Sequence, residues 1–145
     1  MASGSNAVSF RLCGLTVRLP GSRTSLILWG LAVMTVVCGS LLPSGTLHKL
    51  QYDRLHLNDK LVHGAGYCVL ALIPVTLLEF LGLGLALAAS MIPMGICLEF
   101  AQRLIPGRSF ELGDMVANTT GVLVGVAMAI SFRRVLRLHA VPSAR

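Results

Sequence analysis

Long apolar runs separated by short polar segments set the plan of this chain. Leu26 to Leu42 contains no charged side chain, and about 17 helical residues reach roughly 26 Å, enough to cross a thin hydrocarbon core. The next segment, Pro43 to Lys60, holds His48, Lys49, Asp53, Arg54, His56 and Asp59. It is too polar for lipid and reads as a solvated loop with a short amphipathic turn at the interface. Leu61 to Leu98 is apolar again, interrupted only by His63 and Glu79 among acidic, basic and histidine side chains. About 38 helical residues would extend roughly 57 Å, so this run must fold into two spans. Glu79, Gly82 and Gly84 mark the turn between them, and Pro74 and Pro93 fall inside the two halves, where a packed bundle accommodates proline as a kink. A last run from about Met115 to Phe132 stops at Arg133, Arg134 and Arg137. The pattern predicts an all-α polytopic membrane protein. Its bundle of about four transmembrane helices covers 26–42, 61–78, 82–104 and 115–132 within a domain at 25–133, between an N-terminal segment at 1–24 and a basic tail at 134–145.

Composition agrees with this plan. The chain is 54% hydrophobic and 12% charged, against about 25% charged in soluble domains. Its net charge of +6 comes from basic residues in the gaps between apolar runs, which suits lipid headgroups and topology signals rather than a nucleic-acid face. With four spans both termini share a side carrying Arg11, Arg18, Arg23, Arg133, Arg134, Arg137 and Arg145, against Lys49, Arg54, Lys60, Arg103 and Arg108 opposite. The bias places the termini in the cytoplasm. Cys13, Cys38, Cys68 and Cys97 lack CxxC spacing, so neither a zinc knuckle nor a disulfide framework is indicated. The first apolar run is expected to be an uncleaved helix rather than a signal peptide.

The unusual polar residues gather at one end of the expected bundle. Asp59, His63 and Tyr67 recur at i, i+4, i+8 and share one helix face, with Lys60 beside them. Glu99, Gln102 and Arg103 close the third span, Pro106-Gly107-Arg108 turns the chain, and Asp114 and Asn118 open the fourth at i, i+4. Gly121 and Gly125 continue that stripe as a GxxxG pair suited to packing against another helix. Ionisable groups in spans face a bundle interior or a wet cavity and pair with one another; Gln102, Arg103 and His63 are the expected partners of Glu99. Arg108 is the candidate anion ligand, since a guanidinium matches phosphate and carboxylate. Each residue also has a plainer structural role: helix cap for Asp59 and Asp114, cross-helix hydrogen bond for His63, headgroup anchor for Arg108. Asp59, His63, Glu99 and Asp114 could offer a metal mixed oxygen and nitrogen donors. No pair among them has HExxH or CxxC spacing, so no metal and no other cofactor is indicated.

The run Asp59-Lys60-Leu61-Val62-His63-Gly64-Ala65-Gly66-Tyr67 resembles the DKxxHxxxY segment of VanZ-like membrane proteins. Glu99-Phe100-Ala101-Gln102, Pro106-Gly107-Arg108, Asp114 and Asn118-Thr119-Thr120-Gly121 continue the likeness as ExxQ, PGR, D and NxxG. It covers roughly half the chain, with Gly64 and Gly66 where bulkier apolar residues are expected. The resemblance implies a bacterial cytoplasmic membrane and a link to lowered teicoplanin susceptibility. It implies no particular reaction. The leading expectation is a module whose outer-face cluster, Asp59, Lys60, His63, Tyr67, Glu99, Gln102, Arg108, Asp114 and Asn118, binds an anionic membrane lipid or lipid-linked cell-wall precursor. The alternative is a membrane enzyme acting on such a precursor, with His63, Asp59 and Glu99 as acid–base candidates. No nucleophile stands out, which favours binding over catalysis.

Overall fold

The computed structural model describes residues 9–12, 15–18, 20–43 and 59–138, with the main chain alone for 9–12, 15–18 and 136–138. The expected loop after the first span falls largely at 44–58, and the end of the basic tail at 139–145, both outside the described residues. A short antiparallel pair, β1 (Ser9–Leu12) and β2 (Leu15–Arg18), comes first. Among the described residues the regular elements after it are helices: α1 (Ser22–Ser40), α2 (Asp59–Leu77), α3 (Leu81–Gln102) and α4 (Leu112–Leu138). All four helices are long and apolar enough to cross a membrane.

The solvent pattern is that of a bilayer protein. Glu99, Gln102, Asp114 and Asn118 are buried, whereas Leu31, Phe100 and Leu123 lie exposed along the helices. A water-soluble bundle sorts these residue types the other way. Polar groups turn inward here because the surrounding hydrocarbon offers them no hydrogen-bond partner.

Helix α2 is the centre of the bundle. It packs most extensively on α4, then on α3, and more lightly on α1. Its Tyr67, Leu70, Ala71 and Val75 meet Ala88 and Met91 of α3 and Val122 and Ala129 of α4 in one apolar core. The α2–α4 approach is close because Gly121 and Gly125 carry no side chain. A Cβ on Gly121 would strike the carbonyl oxygen of Gly64, and one on Gly125 that of Cys68. The missing bulk at Gly121 and Gly125 thus lets two backbones meet, whereas a Cβ on Gly64 would only touch Ala117 O at 3.4 Å.

Helix α2 starts at Asp59 rather than Leu61 and α4 at Leu112 rather than Met115. An acid in the first turn of each, Asp59 and Asp114, suits the positive end of a helix dipole. At its other end α4 continues past Phe132 to Leu138. Arg133 turns its guanidinium onto α2, donating to the carbonyls of Val75, Leu78 and Glu79 at 2.8, 2.6 and 3.2 Å. Arg133, the first residue of the expected basic stop, thus caps a neighbouring helix.

Pro74 lies inside α2 and has no N–H to give the carbonyl of Leu70. The indole Nε1–H of Trp29 donates to that carbonyl at 2.9 Å, which ties α1 to α2 at an interior position where α2 cannot satisfy itself. Trp29→Phe should therefore destabilise the protein by about 1 kcal/mol. In a Pro74→Ala background, where residue 74 regains its N–H, the same change should cost clearly less. A double-mutant cycle on detergent-solubilised protein measures this, and equal costs in both backgrounds would disprove the compensation.

Candidate functional site

The starts of α2 and α4, the ends of α1 and α3, and the turn between α3 and α4 meet at one end of the bundle. The turn forms because Pro106 and Gly107 follow Ile105. Gly107 takes φ 76°, and Arg108 N–H donates to Ile105 O at 3.1 Å, a tight turn that needs glycine at its third position. This aims Arg108 back at α1, where its Nε donates to Leu42 O at 3.3 Å. Gln102, the last residue of α3, reaches the same chain end, its Nε2 donating to Ser40 O at 3.0 Å. Two side chains from the end of α3 and the following turn thereby satisfy carbonyls at the end of α1 that the helix itself leaves unpaired.

Across the bundle, Lys60 donates to Glu111 Oε2 at 2.9 Å and lies 3.5 Å from Asp114 Oδ1. The lysine hydrogen bond, and then its charge, holds Glu111 below the usual carboxylate range. Both partners are about half exposed, so the pair orients groups more than it stabilises the fold. His63 sits between two residues of α4: Nδ1 is 3.2 Å from Asn118 Oδ1, and Nε2 is 3.8 Å from Asp114 Oδ2. An amide oxygen only accepts, so Nδ1 carries the hydrogen.

Glu99 departs from its expected pairing. It is 1% exposed, yet neither Gln102 nor Arg103 reaches it. Gln102 is committed to Ser40, and Arg103 lies over the rings of Phe110 and Phe100 at 4.3 and 5.4 Å, where cation–π attraction holds it. His63 is within electrostatic range but not bonded to it. The contact that Glu99 makes is a long one, its Oε2 accepting from the Glu111 N–H at 3.5 Å.

A cavity of about 230 Å³ opens between α1 and α2, lined by Val36, Gly39 and Ser40 on one side, Asp59, Val62, His63, Gly66 and Tyr67 on the other, and Arg108 at its edge. Four of the expected site residues, Asp59, His63, Tyr67 and Arg108, therefore border one space. Lys60, Glu99, Gln102, Asp114 and Asn118 stand behind or beside it, and act by holding the lining residues or the helix ends. Gly121 and Gly125 serve helix packing deeper along α4. Glu111, which orients Lys60 and meets Glu99, escaped sequence reasoning. Its signal was its place three residues before Asp114, at the boundary where a helix begins. The Ser40 and Leu42 carbonyls left no signal, since any residue carries one.

Chemically, the arrangement presents a guanidinium, a carboxylate and an imidazole to a cavity with apolar walls at a helix-bundle end. That suits an anionic group attached to an apolar chain. Compared with protein-family models, with curated proteins and with solved structures, the chain gives no match.

Proposed function

We propose that this protein is a VanZ-like component of a bacterial cytoplasmic membrane, with cytoplasmic termini, and that its polar bundle end binds the phosphate or carboxylate of an anionic lipid or lipid-linked envelope precursor. The observation that carries the reading is Arg108. The Gly107 turn holds it at the cavity edge, its Nε is fixed on Leu42 O, and its two terminal nitrogens have no partner among the described residues. A guanidinium so held presents two donors in one plane, the geometry that phosphate and carboxylate accept. The walls from Val36, Val62 and Gly66 suit the first carbons of an acyl or polyprenyl chain. Sequestering such a precursor would lower the access of a lipoglycopeptide to it.

Native mass spectrometry of the protein released from nanodiscs containing anionic lipid tests this. Arg108→Ala should lose the retained anionic lipid and, in cells, any tolerance to teicoplanin. Gln102→Leu, which also frees a carbonyl at the end of α1 but removes no charge, should keep it. Equal loss in both variants would assign the effect to α1 docking and sink the anion reading. The enzyme reading is favoured by one observation, the imidazole held between Asn118 and Asp114. It requires His63→Asn to be as null as Arg108→Ala and the purified protein to consume a lipid-linked precursor.

A further inference from the structure

Asp59, His63 and Asp114 bring one ligand-type atom each to within 4.8 Å of one another. Two come from the first turns of α2, one from the first turn of α4. The hydrogen on His63 Nδ1 is directed to Asn118, which is 2% exposed, so in the neutral ring the lone pair lies on Nε2 and faces Asp114 Oδ2. Asp114 is oriented too: Lys60 lies near its Oδ1, which leaves Oδ2 toward the imidazole. The result is an imidazole lone pair facing one carboxylate, with a second carboxylate, that of Asp59, close enough for all three residues to offer one atom within 4.8 Å. Donor atoms this close can share one cation.

We propose that these three side chains bind a divalent transition-metal ion, with zinc as the representative. A His whose second nitrogen is hydrogen-bonded to a buried amide, and a carboxylate whose second oxygen meets a lysine, are the outer partners that orient ligands in metal sites. One nitrogen and two oxygens suit zinc, manganese or ferrous iron, and the imidazole disfavours magnesium and calcium. Metal–ligand bonds of about 2.0–2.2 Å place neighbouring donors roughly 3.3–3.5 Å apart in a tetrahedron. The Nε2–Oδ2 separation of 3.8 Å is close to that, and a small rotation of the exposed Asp59 brings in the third donor. Two of the three ligands, Asp59 and His63, also line the cavity that Arg108 edges. Metal binding itself does not depend on the headgroup reading.

The test uses the full chain in detergent, stripped with a chelator and titrated with zinc alone by calorimetry, with melting followed in parallel. Wild type should bind one equivalent and melt higher with zinc than without. Asn118→Leu, which releases the outer hydrogen bond, should weaken binding by about tenfold to a hundredfold. Asp59→Asn and His63→Asn should weaken it at least as much, and Glu79→Gln, at the opposite end of the bundle, should leave it unchanged. If Asp114→Asn does not fold, the exposed Asp59 variant, with a metal-free melting temperature near wild type, decides. No saturable zinc binding by wild type, or undiminished binding in both Asp59→Asn and His63→Asn, overturns the proposal. Zinc binding retained in Arg108→Ala together with lipid loss would separate the two sites.

Discussion

Gly121→Ala should destabilise the bundle by about 2 kcal/mol or more, although alanine is the better helix former. A Cβ at residue 121 meets the carbonyl oxygen of Gly64 and, at 3.1 Å, the amide nitrogen of Cys68. These are backbone atoms of a facing helix and cannot rotate away, so α2 and α4 must separate. Overpacking of this kind costs about 1–3 kcal/mol, and separation also weakens the largest helix contact in the molecule. Gly125→Ala should behave alike, since its Cβ meets the carbonyl of Cys68 and lies 3.1 Å from Ala71 Cβ. The two changes lie on one interface, and a single widening relieves both, so the double variant should cost less than their sum. At Gly30 an added methyl would meet nothing within 4 Å, and Gly30→Ala should leave melting unchanged or raise it. Thermal unfolding in detergent checks all four proteins. A Gly121→Ala protein as stable as wild type would mean that the two helices do not meet there.

The second large effect concerns Arg133. Its guanidinium takes the Val75 carbonyl in the last turn of α2, where the helix leaves acceptors without N–H partners, and those of Leu78 and Glu79 in the turn just beyond. Charged donors to such carbonyls are worth about 1.5–3 kcal/mol apiece in favourable cases, and they also sit at the negative end of the helix dipole. We expect Arg133→Ala to cost about 3 kcal/mol, and Arg133→Lys to recover only part of it, because an ammonium cannot fork across three acceptors. Arg134→Ala removes the same charge from the same side of the membrane from an exposed position. It should be nearly neutral in a melting assay, and equal losses for the two alanine variants would trace the effect to membrane topology rather than to the cap.

These two cases show what could be read in the sequence. The apolar runs announce four spans because hydrocarbon forbids charge along a helix, but the turn at Leu78–Phe80 overlaps the expected Glu79–Gly84 region only at Glu79 and Phe80, and Gly82 and Gly84 already belong to α3. The stripes Asp59-His63-Tyr67 and Asp114-Asn118 were legible because helical spacing puts each set on one face. Which stripe meets which partner was not. Arg103 prefers the faces of two aromatic rings to the carboxylate four residues before it, and Arg133 reaches the carbonyls at the end of another helix. Spacing along one helix records direction, whereas pairing across helices depends on relative rotation and depth, which no single segment encodes.

The lightness with which α1 rests on α2 has its own consequence. The cavity is bordered by these two helices, so on the proposed reading a lightly packed seam is all that parts it from the surrounding lipid. On the proposed reading an occupant arrives by diffusing in two dimensions, its tail never leaving hydrocarbon. Occupancy then follows the mole fraction of that lipid in its own leaflet, and diluting the cells or the buffer leaves it unchanged.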